Sequence, residues 1–226
     1  MSLESQRAAK LAQPGAEVME PLAQFWERSG RIVLAVVGVV VAIGAVSYFT
    51  LKARAAAEET AAGKLAEANI FFWQGDYPRA LALAKQVADQ HGSTRSGHDA
   101  HRLAGDAAFW GGDFKNAIAE YRRYLDTDKS GLLADAARRS LAYSLESDKQ
   151  YAEAAGLYEG LIGKFDRSSS AEFLAASARC ERAMGKNDEA IKRLQRLTDE
   201  YGDTPYIKSA QLDLAELKAL QAQQGR

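Results

Sequence analysis

Cysteine occurs once in this chain of 226 residues, at Cys180, so no disulfide can form within it. A single thiol in an alanine-rich helical context reads as a small apolar core residue rather than a nucleophile. Proline occurs four times and aromatic residues make up 9% of the chain, a balance that favours long helices over sheets or disorder. The formal net charge is -1, which excludes the broad basic field that a nucleic-acid partner requires. No glycine-rich loop follows a strand pattern, so no phosphate cradle is written into the chain. Histidine occurs three times, and His98, Asp99 and His101 form the one compact set of metal-ligating types. Their H-x-x-H spacing lacks a fourth ligand and a supporting shell, and at the start of a helix they are expected to face water. A metal-dependent enzyme built on His98 and His101 is therefore the weaker reading. No catalytic residue, metal or cofactor is expected.

Charge is missing altogether from Ile32 to Leu51 (IVLAVVGVVVAIGAVSYFTL). As a helix this run covers about 30 Å, the hydrocarbon thickness of a bilayer. Arg28 and Arg31 precede it, Lys52 and Arg54 follow it, and Trp26, Tyr48 and Phe49 stand near its ends, where amphipathic rings favour the lipid–water boundary. A cleaved signal would have a shorter apolar core nearer the N-terminus. A buried helix so evenly apolar would need a larger core than the remainder supplies. The expectation is a retained single span at 32–51, after a juxtamembrane segment at 1–31. A connector is expected at 52–60, a folded domain at 61–222 and a tail at 223–226. Two basic residues before the span and three soon after it (Lys52, Arg54, Lys64) leave its orientation open.

Beyond the span the chain repeats itself. Phe72-Trp73-x-Gly75-Asp76-Tyr77 returns as Phe109-Trp110-x-Gly112-Asp113-Phe114, 37 positions later. Aligned on the alanine that follows each turn, Ala80, Ala117, Ala154 and Ala190 are separated by 37, 37 and 36 residues, a period that marks stacked supersecondary units. Apolar residues recur at helical spacing before the turn (Leu103, Ala104, Ala107, Ala108, Trp110) and after it (Ala117, Ile118, Tyr121, Tyr124, Leu125). Each unit is thus predicted to be a pair of helices. Glycine makes the reversal, aspartate caps the second helix, and the alanine lets the two helices approach. A last helix is predicted within Thr204–Ala222, closing an all-α solenoid of about four helix pairs.

The pattern resembles the tetratricopeptide repeat, on Ala104-Gly105 with Ala117-x3-Tyr121 and on Leu141-Ala142 with Ala154-x3-Tyr158. Ala84 and Leu194 replace the aromatic residue in the first and fourth units, and only Pro205 lies near the place of the family's closing proline. The period exceeds the family's 34 residues, and the excess is assigned to loops at HGSTRSGHD and DRSSSAE. The whole layout, with QFWERSGR before one span and an alanine-rich repeat domain after it, resembles the ancillary subunit family of the bacterial SecYEG translocon. Its repeat domain is shared with a cell-division coordinator of the Tol-Pal system. The resemblance implies an inner-membrane protein with a cytoplasmic N-terminus and extracytoplasmic repeats. It also implies protein partners, either translocon subunits and periplasmic chaperones or client polypeptides, with the Tol-Pal role as the alternative.

Candidate binding residues follow from the repeat. Phe72, Trp73, Phe109 and Trp110 end the first helices of two consecutive units. Neighbouring residues diverge by about 100° on a helix, so one ring of each pair is expected in the core and the other on the binding face. Arg102 and Asp106 lie near them, and Arg139, Tyr143, Arg179 and Arg182 occupy equivalent places farther along. These residues predict a face that is aromatic at one end and basic at the other, suited to an extended peptide or a helix.

Overall fold

A computed structural model describes residues 16–224, all helical or in short connections; parts of the segment expected at 1–31 and of the tail expected at 223–226 lie outside this range. Helix α1, Ala16–Trp73, is the longest. Residues 52–60, expected as a connector, continue it without a break. Two compact units divide between Ala56 and Ala57. In the first, large apolar side chains between Ile32 and Leu51 are exposed, Val39, Ile43 and Phe49 among them. The stretch Gln24–Trp73 is long and apolar enough to cross a membrane, and none of its most apolar window is buried. Trp26 folds back over Gly30, while Tyr48 and Phe49 meet edge to face at 5.6 Å.

The second unit is a stack of antiparallel helix pairs. The end of α1 pairs with α2 (Tyr77–His91), α3 (Arg95–Trp110) with α4 (Phe114–Thr127), α5 (Leu132–Ser147) with α6 (Tyr151–Leu161), and α7 (Arg167–Ala183) with α8 (Asn187–Glu200). Helix α9 (Ile207–Gln224) closes the stack. All four turns within pairs have one geometry. In the first, Gly75 N–H donates to Phe72 O and Asp76 N–H to Phe71 O, the two bonds that close a helix when the residue after it is left-handed. Gly75, Gly112 and Gly185 take positive φ in the first, second and fourth turns, and Lys149 does so in the third at 63°. Asp76 and Asp113 then accept from Arg79 N–H and Asn116 N–H, both at 3.2 Å. Gln150 and Lys186 make no such cap. Glu153, Asp188 and Glu189 in the first turns of α6 and α8 supply negative charge there instead.

The aligned alanines Ala80, Ala117, Ala154 and Ala190 are all fully buried, and the small residues Ala68, Gly105, Ala142 and Ala178 of the first helices are buried as well. Tyr121, Tyr124, Tyr158 and Phe173 are the largest side chains buried completely in the stack. One correction concerns the period. The stretches assigned to loops are mostly first turns of helices, because Thr94 caps α3 through Gly97 N–H and Asp166 caps α7 through Ser169 N–H. The residues beyond 34 therefore lengthen first helices, and the serines in them are tolerated because first-turn amides need outside partners.

Candidate protein-docking face

The turn motif places its two aromatic rings differently. Phe72 and Phe109 are half-buried against the core, and each meets the aromatic residue that opens the next helix, Tyr77 at 5.7 Å and Phe114 at 5.8 Å. Trp73 is 81% exposed and Trp110 62% exposed. The equivalent residues of the third and fourth units, Ser147 and Ala183, are exposed as well. The position faces outward in every unit, and only the first two fill it with indole rings.

The polar candidates form a row of contacts along the first helices. Arg102 Nη1 donates to Asp106 Oδ2 at 3.2 Å, and Tyr121 Oη donates to Asp106 Oδ1 at 2.7 Å. Arg139 stacks its guanidinium over Phe165 at 5.2 Å. Tyr143 donates to Glu172 at 2.6 Å. Arg179 holds Glu146 with two bonds, at 2.8 and 3.1 Å, and the same carboxylate accepts from Tyr158 Oη. Arg182 meets Glu216 at 2.5 Å and Asp213 at 3.8 Å. The face expected to be basic is thus a charge-balanced ladder that staples α5 to α7 and α7 to α9. Glu146 and Glu216 lie 33 and 34 positions from their arginines, so each pair joins neighbouring units.

The histidines depart from expectation too. His98 is not solvated but stacks on Tyr124 at 4.8 Å. His101 Nδ1 faces Glu120 Oε2 at 2.7 Å, and Lys85 and Arg123 converge on the same buried carboxylate. Burial alone would raise Glu120, but His101, Arg123 and Lys85 hold it below the usual carboxylate range. These polar groups serve packing between α2, α3 and α4. The thiol of Cys180 is buried and pushed up to about 12 by that burial and by Glu146 nearby, so it stays protonated at neutral pH.

Asp106 gives the face a pH signature. Burial lifts its carboxyl above the usual range against the pull of Tyr121 and Arg102. An acid with a raised folded pKa binds protons more tightly when folded, so stability falls as pH rises from the ordinary value through the raised one. Asp106→Asn keeps an acceptor for Tyr121 and removes the charge. The variant is expected to melt higher than the parent at neutral pH, by the equivalent of about 1 kcal/mol, with the two curves converging below about pH 4. A parent that melts higher at pH 7 would contradict this.

Models of the tetratricopeptide repeat match residues 65–132 and 112–171, and a second such model matches 145–214. Among solved structures, the nearly identical TPR-like repeats of a kinesin-light-chain-like protein from Podosopora anserina superpose with a TM-score of 0.57. That alignment covers 71% of this chain and 86% of the other, at 18% identity. A single-substitution variant of the same repeats gives the same TM-score and coverage at 19% identity. At such identities the likeness concerns the fold alone. No curated protein matches the chain.

Proposed function

Since this chain belongs to the tetratricopeptide-repeat family, we propose that it is a non-catalytic docking scaffold, anchored in the bacterial inner membrane by the apolar part of α1. Its partner engages the edge formed by Phe72, Trp73, Phe109 and Trp110. The observation that carries this reading is the exposure of two indoles at equivalent positions where the fold itself is satisfied by serine or alanine. Large rings on a water-facing edge are costly unless something covers them, and tryptophan is prominent among residues that dominate binding energy. Arg102, Asp106, Arg139, Tyr143, Arg179 and Arg182 form a balanced polar track beside the rings. By resemblance of layout, the site of action is the SecYEG translocon, where the partner is a channel subunit, a periplasmic chaperone or an emerging envelope polypeptide.

Trp73→Ala and Trp110→Ala test the proposal through two readings on membrane fractions, the melting temperature and the yield of photo-crosslinked partner. Each substitution is expected to leave the melt nearly unchanged and to cut crosslinking by at least tenfold, since an interface tryptophan contributes about 2 kcal/mol or more. A collapsed melt would return the rings to a structural role. Recovery of Tol-Pal proteins instead of translocon subunits would keep the scaffold and move its place of work.

A further inference from the structure

A second face of the repeat domain carries its own chemistry, away from the aromatic edge. Between the α4–α5 connection, α5 and α6 lies a cleft of about 390 Å³ lined by Lys129, Asp135, Arg138, Gly156, Gly160 and Lys164. Three cations and one carboxylate face it. Arg138 already has partners, with Nη1 on Asp135 Oδ1 at 2.8 Å and Nη2 on the Lys129 carbonyl. That leaves Lys129 and Lys164, both exposed and neither in an ion pair among the described residues. Part of the floor of the cleft is glycine backbone, beside Leu157. Gly156 and Gly160 lie one turn apart on α6, and a Cβ added at either would meet nothing within 4 Å. Glycine in a helix interior weakens it relative to alanine, and packing within the chain asks for no glycine at these two places. Their effect is an open recess in which an outside backbone can lie close to the helix.

From this combination we propose that the cleft binds an acidic polypeptide segment, whose carboxylates reach Lys129 and Lys164 while its backbone lies over Gly156 and Gly160. A phosphate-bearing ligand fits less well, because the one guanidinium that could grip phosphate with two parallel bonds is already held by Asp135 and Lys129. Two separate ammonium groups suit carboxylates spaced along a chain. The site is independent of the tryptophan edge, so failure of one leaves the other standing.

The test uses the full-length protein in detergent micelles and a fluorescently labelled peptide with alternating glutamate and glycine, read by anisotropy. Its glutamine counterpart and inorganic phosphate serve as comparison probes. Binding of the glutamate peptide is expected, with at least a tenfold loss in Lys129→Ala/Lys164→Ala and a similar loss in Gly160→Leu. The last variant keeps every charge and fills only the floor. Each variant is expected to retain the parent's circular dichroism and melt. Full binding by Gly160→Leu would mean diffuse attraction to surface lysines and would overturn the proposal. Equal binding of the glutamine peptide, or saturation by phosphate without peptide binding, would overturn it equally.

Discussion

Replacing Tyr121 by alanine is expected to lower the stability of the repeat domain by about 3–5 kcal/mol, as removal of a fully packed aromatic ring does elsewhere. The ring is 1% exposed and packs against α3, where a Cβ on Gly105 would come within 2.7 Å of it. Its hydroxyl donates to Asp106 Oδ1, so truncation also removes one of the two side-chain partners of that carboxylate, leaving Arg102. The first unit has Ala84 at the same place, in a cluster with Leu103 against which Leu65, Phe72, Leu81 and Leu83 pack. Gly105→Leu in the parent is expected to cost about 1–3 kcal/mol by overpacking, yet to restore part of the stability of Tyr121→Ala by refilling the hole. Denaturant melts of both single variants and the double variant measure the coupling. Simple additivity would show that ring and glycine do not share the space.

Phe173→Ala is expected to cost a similar amount, about 3–5 kcal/mol, but to express it locally. Phe173 is fully buried, stacked on Tyr158 at 6.2 Å and met edge-on by Phe165 at 5.9 Å. It joins α7 to the pair α5–α6. In a stacked-repeat protein each unit contacts only its neighbours, so a lesion spreads along the array by shared interfaces rather than all at once. Hydrogen exchange should show amides of α6 to α9 losing protection by orders of magnitude, while those of α2 and α3 keep most of theirs. A uniform loss over every helix would sink the idea of nearest-neighbour stability in this domain.

Some of the molecule is legible in single residues. The glycine of each reversal and the aspartate after it announce two turns, because few other residues accept a left-handed backbone or cap a helix start so readily. The third turn shows the limit of that reading. Lys149 takes the left-handed position at φ 63°, held by the same two hydrogen bonds as the glycines, and only the repeat register reveals it. The binding candidates divide in the same way. The outward place of Trp73 and Trp110 is legible in Ser147 and Ala183 at the same register, since a position content with serine or alanine does not need a buried ring. The partners of Arg179 and Arg182 are not legible there, because Glu146 and Glu216 are distant in sequence and meet them only when one unit stacks on the next.

By itself, then, the sequence determined the uncharged stretch of bilayer length, the period of 36 to 37 residues and the paired helices with small residues at their contacts. Each of these follows from local propensity or from a hydrophobic pattern that a helix must bury or leave to lipid. The tertiary structure decided what stacking decides: that the arginine row is neutralised, that His98 and His101 are packed, and that Gly156 and Gly160 leave a recess beside two free lysines. Charge on a face is a sum over neighbouring helices. That sum is fixed only when the helices are placed against one another.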